Sequence, residues 1–449
     1  MLMIKLLTEI EKHIVRRDII LDIVPLSNDF HVASIGLCLV LIYCVDDQQF
    51  FSIPIDSTDH GLNYNKDDVC KMLNKVRGRI FCINKKKVLH QFELQKLYDL
   101  SVIMFFETGE IVEDDEYNTT SHTFFKHKYH NHKELNKIIP SNNHISKFLD
   151  ICKDVVVYIR KNYEAAYYDI NNLLVETLQN IEKQGIYVNI DQFNQHFSDK
   201  THLVSENRVY TEYNIFTSTG RPSNRFGGIN FSALNKENGC RKSFVSRHGD
   251  DGVLIMFDYS AYHPHIIAKL VNYVFPNKVN IYQYLGQCYF KTENLSEDQL
   301  KKSKTLTFQQ LYGSISEEYL KIPYFAKISE YLDHRWKFFN EYGYIETPIF
   351  KRRITNKHLV NANPAKLFNY ILQASETEYS MESLIDVNTY LKNKESKAIL
   401  YTYDSVLFDV KRSEGKSLVL NIKQIMESRG FPTKCYFGNN YHDMNSISI

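Results

Sequence analysis

The residues best suited to chemistry in this 449-residue sequence lie in its second half. The segment LIMFDYSAYHPHIIAKL (254–270) reads as an apolar strand that delivers Asp258 at its end and then enters a helix. A carboxylate at a strand terminus holds a metal well, because the strand fixes the backbone while the open end admits solvent and substrate. An ordinary helix N-cap is the plainer alternative. The segment AILYTYDSVLFDV (398–410) repeats the arrangement, with two β-rich runs flanking Asp404 and Ser405 as in a hairpin with a carboxylate at its tip. A plain turn is again the alternative. As a pair, two strand-end aspartates in a chain rich in Lys and Arg suit a two-Mg²⁺ phosphoryl-transfer site, in which metals roughly 3.5–4 Å apart are bridged by carboxylates. In LSEDQLKKSKTLTFQQLYG (295–313), Lys304, Phe308 and Tyr312 are spaced to share one helical face. A cation, a flat ring and a phenol could hold a triphosphate at one end and a base at the other. An amphipathic helix with Phe and Tyr in its core fits the same spacing.

Several elements must position these groups. Residues 18–55 read as strands, 66–76 as helix, RIFCIN (79–84) as strand and 88–99 as helix, so the first 140 or so residues form an α/β unit. The run EIVEDDEYNTTSH (110–122) reads as a loop, and the HKYHNHKE cluster (127–134) as surface, since it lacks the frame a zinc site uses. Residues 145–185 form a helical zone, with Ile170, Leu174, Leu178 and Ile181 on one face and Gly185 as its stop. Two basic triplets stand out: Lys85–Lys87 reads as solvated surface, and Lys351–Arg353 as a contact to a nucleic-acid backbone.

Composition narrows the class. Hydrophobic residues make up 43% and charged residues 24%, which excludes disorder and collagen-like architectures. The apolar run 32–45 is too short to span a bilayer, and mean hydropathy is −0.36. The start, MLMIKLLTEIEKHIVRR, carries Glu9 and Glu11 and reads as an amphipathic helix, not a signal peptide. A reducing, cytoplasmic location is therefore expected, and eight cysteines without a CxxC motif argue against disulfides and structural zinc. Net charge is +1, so any nucleic-acid surface has to be a local basic channel.

In order along the chain, these segments resemble motifs A, B and C of family A DNA polymerases. DYSAYHPHI is similar to D-Y-S-x-x-E, KKSKTLTFQQLYG to K-x-x-x-F-x-x-x-Y-G, and TYDSVLF to H-D-E-x-x-F. FTSTGRPS (216–223), GGINFSAL followed by CRKSF (227–244), GYIETPIFKRRI (343–354), AKLFNYILQAS (365–375) and LQNIEKQGIYVN (178–189) resemble further family segments. The eight matches fall in the family's order over about 178–445.

The resemblance implies an α+β right-hand polymerase preceded by an RNase H-like, exonuclease-type unit. It implies a 3′–5′ exonuclease-like domain at 1–144 and a polymerase domain at 145–449. Within the latter it implies a reduced thumb (145–215), palm (216–270 and 343–449) and small fingers (271–342). Asp258 and Asp404 would be catalytic and would hold two Mg²⁺ ions, or Mn²⁺ in their place, with the Tyr259 carbonyl as a further ligand. Lys304, Lys301, Phe308, Tyr312 and His263 would meet the incoming dNTP. Arg221, Asn230, Arg241, Arg352, Arg353, Asn369, Gln373 and Tyr403 would contact primer-template DNA. The implied reaction is extension of a primer by dNTPs, which asks of the protein two metals, a cationic clamp and positioning.

The departures from the family pattern set further expectations. His263 replaces the steric-gate Glu of motif A, Tyr403 and Ser405 replace the His and Glu of motif C, Leu300 replaces an Arg, and Phe350 replaces a Gly. Altered sugar or template choice, as in an RNA polymerase or a reverse transcriptase, thus stays open, as does an inactive DNA-binding accessory subunit. The short thumb implies weak processivity and a processivity factor or other replisome partner. In the N-terminal unit Asp22 and Asn84 are kept, but Val24 and Val88 stand where carboxylates are expected, so the exonuclease is expected to be inactive.

Overall fold

The structure is a computed structural model that describes residues 7–26, 31–55, 64–108, 142–162, 165–224, 228–276 and 280–449. The loop expected at 110–122 and the histidine cluster at 127–134 lie outside the described residues. No described helix is long and apolar enough to cross a membrane.

Two five-stranded sheets organise the chain. The first comprises β1 (Ile19–Pro25), β2 (Leu37–Cys44), β3 (Phe50–Pro54), β4 (Ile80–Cys82) and β5 (Leu97–Asp99) in the order β3-β2-β1-β4-β5. β1, β2 and β3 pair antiparallel, whereas β4 and β5 run parallel to β1. Both faces are covered, so β1 and β2 are buried throughout. The period-two alternation still operates. Ile19, Leu21 and Ile23 face one cluster with helices α1 (Leu7–Ile14), α2 (Lys66–Asn74) and α3 (Lys85–Gln91). Ile20 and Val24 face another, with α4 (Leu100–Thr108) and α5 (Asn142–Asn162). The helix expected at 88–99 is thus divided: it ends at Gln91, where Phe92 turns extended, and Leu97–Asp99 joins the sheet.

The expected domain boundary at 144/145 falls inside α5. Phe148, Cys152, Val155 and Ile159 of this helix pack in the same apolar cluster as β1 and β2, so it is part of the N-terminal unit and not of a thumb. Helix α6 (Ala165–Gln184) follows, and its Leu174, Val175, Leu178 and Ile181 are buried against the second sheet. The segment expected to form a reduced thumb therefore bridges the two sheets. Beyond it come α7 (Ile190–His196) and two short strand pairs, β6 (Ile186–Tyr187) with β7 (Arg208–Val209) and β8 (Tyr213–Asn214) with β9 (Ser223–Asn224).

The triplet Lys85–Lys87 is not solvated surface. Lys85 and Lys86 are 2% and 5% exposed and cross from α3 to α6. Lys85 pairs with Glu176, while Lys86 Nζ lies 2.5 Å from Glu182 Oε1 and also donates to the Tyr213 carbonyl. Glu182 further accepts from the Tyr213 N–H at 2.7 Å and meets His90 Nε2 at 2.9 Å. Burial drives His90 down to about 3, so the ring is neutral and Lys86 carries the charge that answers Glu182.

The second sheet is antiparallel: β10 (Gly252–Tyr259), β13 (Lys397–Thr402), β14 (Ser405–Lys411), β15 (Thr433–Gly438) and β16 (Asn445–Ile447), in the order β13-β14-β10-β15-β16. Val253, Ile255, Phe257 and Tyr259 face the largest core cluster, shared with α8 (Tyr262–Leu270), α12 (Pro364–Tyr390) and α13 (Lys416–Glu427). Between α8 and α12 lie α9 (Ile281–Phe290), α10 (Glu297–Tyr312), α11 (Pro323–Tyr342) and a hairpin of β11 (Tyr344–Glu346) and β12 (Arg353–Thr355). A capping box closes the start of α10: Ser296 accepts from the Gln299 N–H at 3.2 Å, and the Gln299 side chain accepts from the Ser296 N–H at 2.9 Å. Gly286 lets α9 approach α10 closely, since a Cβ there would meet Ser303 Cβ at 3.0 Å.

Candidate active site

Alternation along β10 puts Asp258 on the same face as Leu254 and Met256, at the strand's open end. Its partner across the ladder is Ser405, so Asp404, at the tip of the β13–β14 hairpin, comes alongside it. The Tyr259 N–H donates to the Asp404 carbonyl at 2.9 Å and ties the two strand ends together. Tyr403 takes φ +60° to make this tight turn. Both aspartates line a cleft of about 1340 Å³, whose other wall carries Lys301, Lys304, Phe308 and Tyr312 of α10.

The electrostatics of the pair are those of a site that lacks positive charge. Burial first, and then the charge of Asp404, push the Asp258 carboxyl up to about 6, against the pull of Lys434, Lys236 and Lys304. Asp404 is an exposed residue with a recessed carboxyl, and burial followed by the charge of Glu376 raises it too. Two facing carboxylates at strand ends, both resisting ionisation, are a donor set that suits hard divalent cations.

On the α10 wall the three predicted residues do share a face. The rings of Phe308 and Tyr312 stack with centroids 5.7 Å apart, and Lys304 Nζ lies 6.0 Å from the Phe308 ring. His263 is 9% exposed and joins this wall to α8: its Nδ1 meets the Tyr312 hydroxyl, and its Nε2 lies 2.9 Å from Glu376 Oε1. The Arg221 Nε donates to Glu376 Oε2 at 2.6 Å, and the guanidinium stacks over the Tyr403 ring at 5.0 Å.

Other predicted residues lie further out. Asn369 donates to the Tyr312 carbonyl at 3.5 Å, while its Oδ1 is buried without a hydrogen-bond partner; Gln373 lies one turn along the same helix and is half-buried. Asn230 is exposed, and Arg241 donates to the Leu234 carbonyl at 3.0 Å and covers the Tyr441 ring. Arg353 is half-buried beside Glu346. Arg352 corrects the sequence expectation. It is 2% exposed, donates to the carbonyls of Thr217 and Ser218, and packs over the rings of Phe105 and Phe106, so it braces the interior and does not reach a phosphate.

No family model matches the chain. The DNA polymerase of Bacillus phage SP01 is 25% identical over 272 residues, which cover 50% of this chain and 29% of that protein. DNA polymerase I of Caldicellulosiruptor bescii is 26% identical over 259 residues, covering 50% and 30%. The chain thus spans under a third of each of these curated relatives. The polymerase domain of Pol1 from M. smegmatis, solved in complex with DNA primer-template and dNTP, superposes with a TM-score of 0.73 over 97% of this chain and 98% of that one, at 14% identity. The fold is that of a Pol1 polymerase domain. The chain is thus similar, at modest identity, to proteins named DNA polymerase and DNA polymerase I, and shares the fold of a polymerase domain.

Two parts of the cleft escaped the sequence reading. Glu376 lies on α12 in the buried polar run 375–378, and that run, within a helix otherwise rich in apolar residues, was the available signal. Lys434 is exposed on β15 directly across the ladder from Asp258, and only strand register reveals it. Residues opposite each other in an antiparallel pair project to one face, so its ammonium stands beside the aspartate.

Proposed function

We propose that the chain is a DNA-directed DNA polymerase that extends a primer 3′ end with dNTPs. The observation that carries this reading is the cleft itself: Asp258 and Asp404 brought together on one wall, and Lys304, Phe308 and Tyr312 on the other. Asp258, Asp404 and the Tyr259 carbonyl would hold two divalent cations, Mg²⁺ by preference, which when bound activate the primer hydroxyl and stabilise the leaving oxygen. Lys304 and Lys301 bind the triphosphate, and Lys434 adds charge where Leu300 has none. Phe308 and Tyr312 form the face against which sugar and base lie. Asn230, Arg241, Arg353, Asn369, Gln373 and Tyr403 face the primer-template, and Arg221 shapes the cleft floor. The reaction needs little more than this positioning and charge.

The domain plan follows the packing. The exonuclease-like unit extends through residue 162, the polymerase unit follows, and the fingers occupy 271–342 with the palm on either side. Asp22 supports an inactive exonuclease: Lys87 Nζ sits 3.2 Å from its carboxylate, while Asp99 accepts from the N–H groups of Lys85 and Val102. With no projecting thumb among the described residues, the enzyme releases DNA readily and gains from a processivity partner in the cytoplasm where it works.

His263, in place of a glutamate at the sugar side, favours a second property, a looser preference for dNTPs over rNTPs set by the bulk of the ring, because both its nitrogens are already engaged. Primer extension with dNTPs and then rNTPs, in Mg²⁺ and in EDTA, tests the reading. Metal-dependent dNTP incorporation is expected. No incorporation, with DNA binding retained, would leave only an accessory subunit.

A further inference from the structure

Glu376 sits on α12 beneath the cleft with both carboxylate oxygens engaged: Oε2 accepts from Arg221 at 2.6 Å, and Oε1 faces His263 Nε2 at 2.9 Å. These partners leave it poorly placed as a metal ligand. They do fix the imidazole. Nε2 lies between Glu376 Oε1 and Arg221 Nη2, the latter 3.2 Å away, so an acid and a guanidinium hold that side of the ring. The Tyr312 hydroxyl meets the ring's other nitrogen, Nδ1. Tyr312 is the last residue of α10, and its ring stacks on Phe308 of the same helix. One chain of contacts therefore runs from a buried acid under the palm, through His263 on α8, to the nucleotide-facing end of α10.

We infer that Glu376 is a positioning residue that, through His263, anchors the C-terminal end of α10 and sets the width of the pocket receiving the sugar of the incoming nucleotide. This rests on the polymerase reading. Three properties support it. Glu376 is 2% exposed, so the anchor is rigid and does not compete with solvent. Arg221 balances its charge, and the guanidinium is itself held over the Tyr403 ring next to Asp404. Tyr262 of α8 also donates to the Glu376 carbonyl at 3.4 Å, so backbone and side chain of this one residue both tie α12 to α8.

A Gln at 376 keeps the shape but replaces one acceptor by an NH₂ donor. Either the guanidinium or the imidazole then loses its acceptor oxygen, and the carboxylate charge that seats His263 between Arg221 and Tyr312 is gone.

The test is single-nucleotide insertion of dCTP and CTP on one primer-template by wild type, Glu376→Gln, Tyr312→Phe and the double variant. Each single variant is expected to lower the dCTP:CTP ratio of kcat/KM by roughly five- to tenfold, the effect of one pocket contact. The double variant should fall no further than the lower single, because both break the same chain. Primer-template affinity should stay within about twofold. If Glu376→Gln does not fold, His263→Asn takes its place in the cycle. Ratios that stay within twofold of wild type, or effects that multiply, overturn the inference while leaving the polymerase reading intact. A wild-type protein that inserts neither nucleotide overturns that reading, and the inference with it.

Discussion

The two sheets each carry an aspartate on a central strand, and they treat it in opposite ways. On β1, Asp22 is buried and lies 3.2 Å from the ammonium of Lys87. On β10, Asp258 faces Asp404, and the nearby lysines only partly offset their repulsion. A carboxylate with a lysine of its own is electrostatically complete and has no need of a metal. Two carboxylates that share a cleft are incomplete, and a divalent cation relieves them. Carboxylate identity alone therefore says little about activity, and the location of the countercharge says much more. The buried group His31, His90 and Glu182 teaches the same lesson. Its ligand atoms lie within 4.8 Å of one another, yet Lys86 already answers the acid.

The comparison breaks most visibly if the cleft aspartates are dispensable. Asp258→Ala and Asp404→Ala should each cut the rate of primer extension by about a thousandfold or more, with DNA affinity in a gel-shift assay largely kept. Near wild-type extension by either variant would mean that the incomplete pair is not the reaction centre.

The next largest effect is on stability and tests the complete side. Lys86→Met strands Glu182, which is fully buried, without its cation. Chemical denaturation should show a loss of about 3–5 kcal/mol, the usual consequence of removing one partner of a buried pair.

A smaller effect of opposite sign sharpens the contrast. The Asp258 carboxyl is pushed up to about 6 in the folded protein, above its ordinary 3.8, so the folded protein binds this proton more tightly than the unfolded chain does. Ionisation therefore costs metal-free stability as the pH rises from 3.8 through about 6, and that stability returns as the pH falls back through 6 and is complete only below 3.8. Asp258→Asn removes the charge and should raise metal-free stability at pH 7.5 by roughly 1 kcal/mol after solvent screening, while abolishing extension. Mg²⁺ should raise the Tm of wild type and leave that of the variant nearly unchanged.

The smallest expected effect is zero. A 3′-labelled mismatched primer incubated with Mg²⁺ and no dNTP should not be shortened, and Asp22→Ala should change nothing. Shortening that Asp22→Ala removes would show that Lys87 does not occupy the place of a metal.

Much of this was legible in the chain because it is local. The strand–Asp–helix run at 254–270 and the hairpin at 398–410 carry their own geometry, and the i, i+4, i+8 spacing of Lys304, Phe308 and Tyr312 gave one face of α10. What failed was long-range. Three consecutive lysines look solvated until α3 is seen against α6, where acids stand opposite two of them. Arg352 looks like part of a DNA-facing triplet until the loop at 217–218 and α4 close around it. Glu376 and Lys434 reach the cleft from α12 and β15, far in sequence from the motifs they serve. Helix α5 reads as the start of the polymerase by position alone, yet its apolar face is taken up by the first sheet.

The lysine bridge between α3 and α6 bears on the fate of a shortened chain. A chain that lost its N-terminal half would keep α6 on the palm, with the bare face that had been covered by α3. On that face Glu182 would stand among apolar side chains with neither Lys86 nor His90 to meet it. Such a fragment would take up a proton or seek another surface to cover it. The N-terminal unit thus covers a charged and apolar face of α6, and a truncation that removes it is expected to shift the remainder from the soluble to the insoluble fraction.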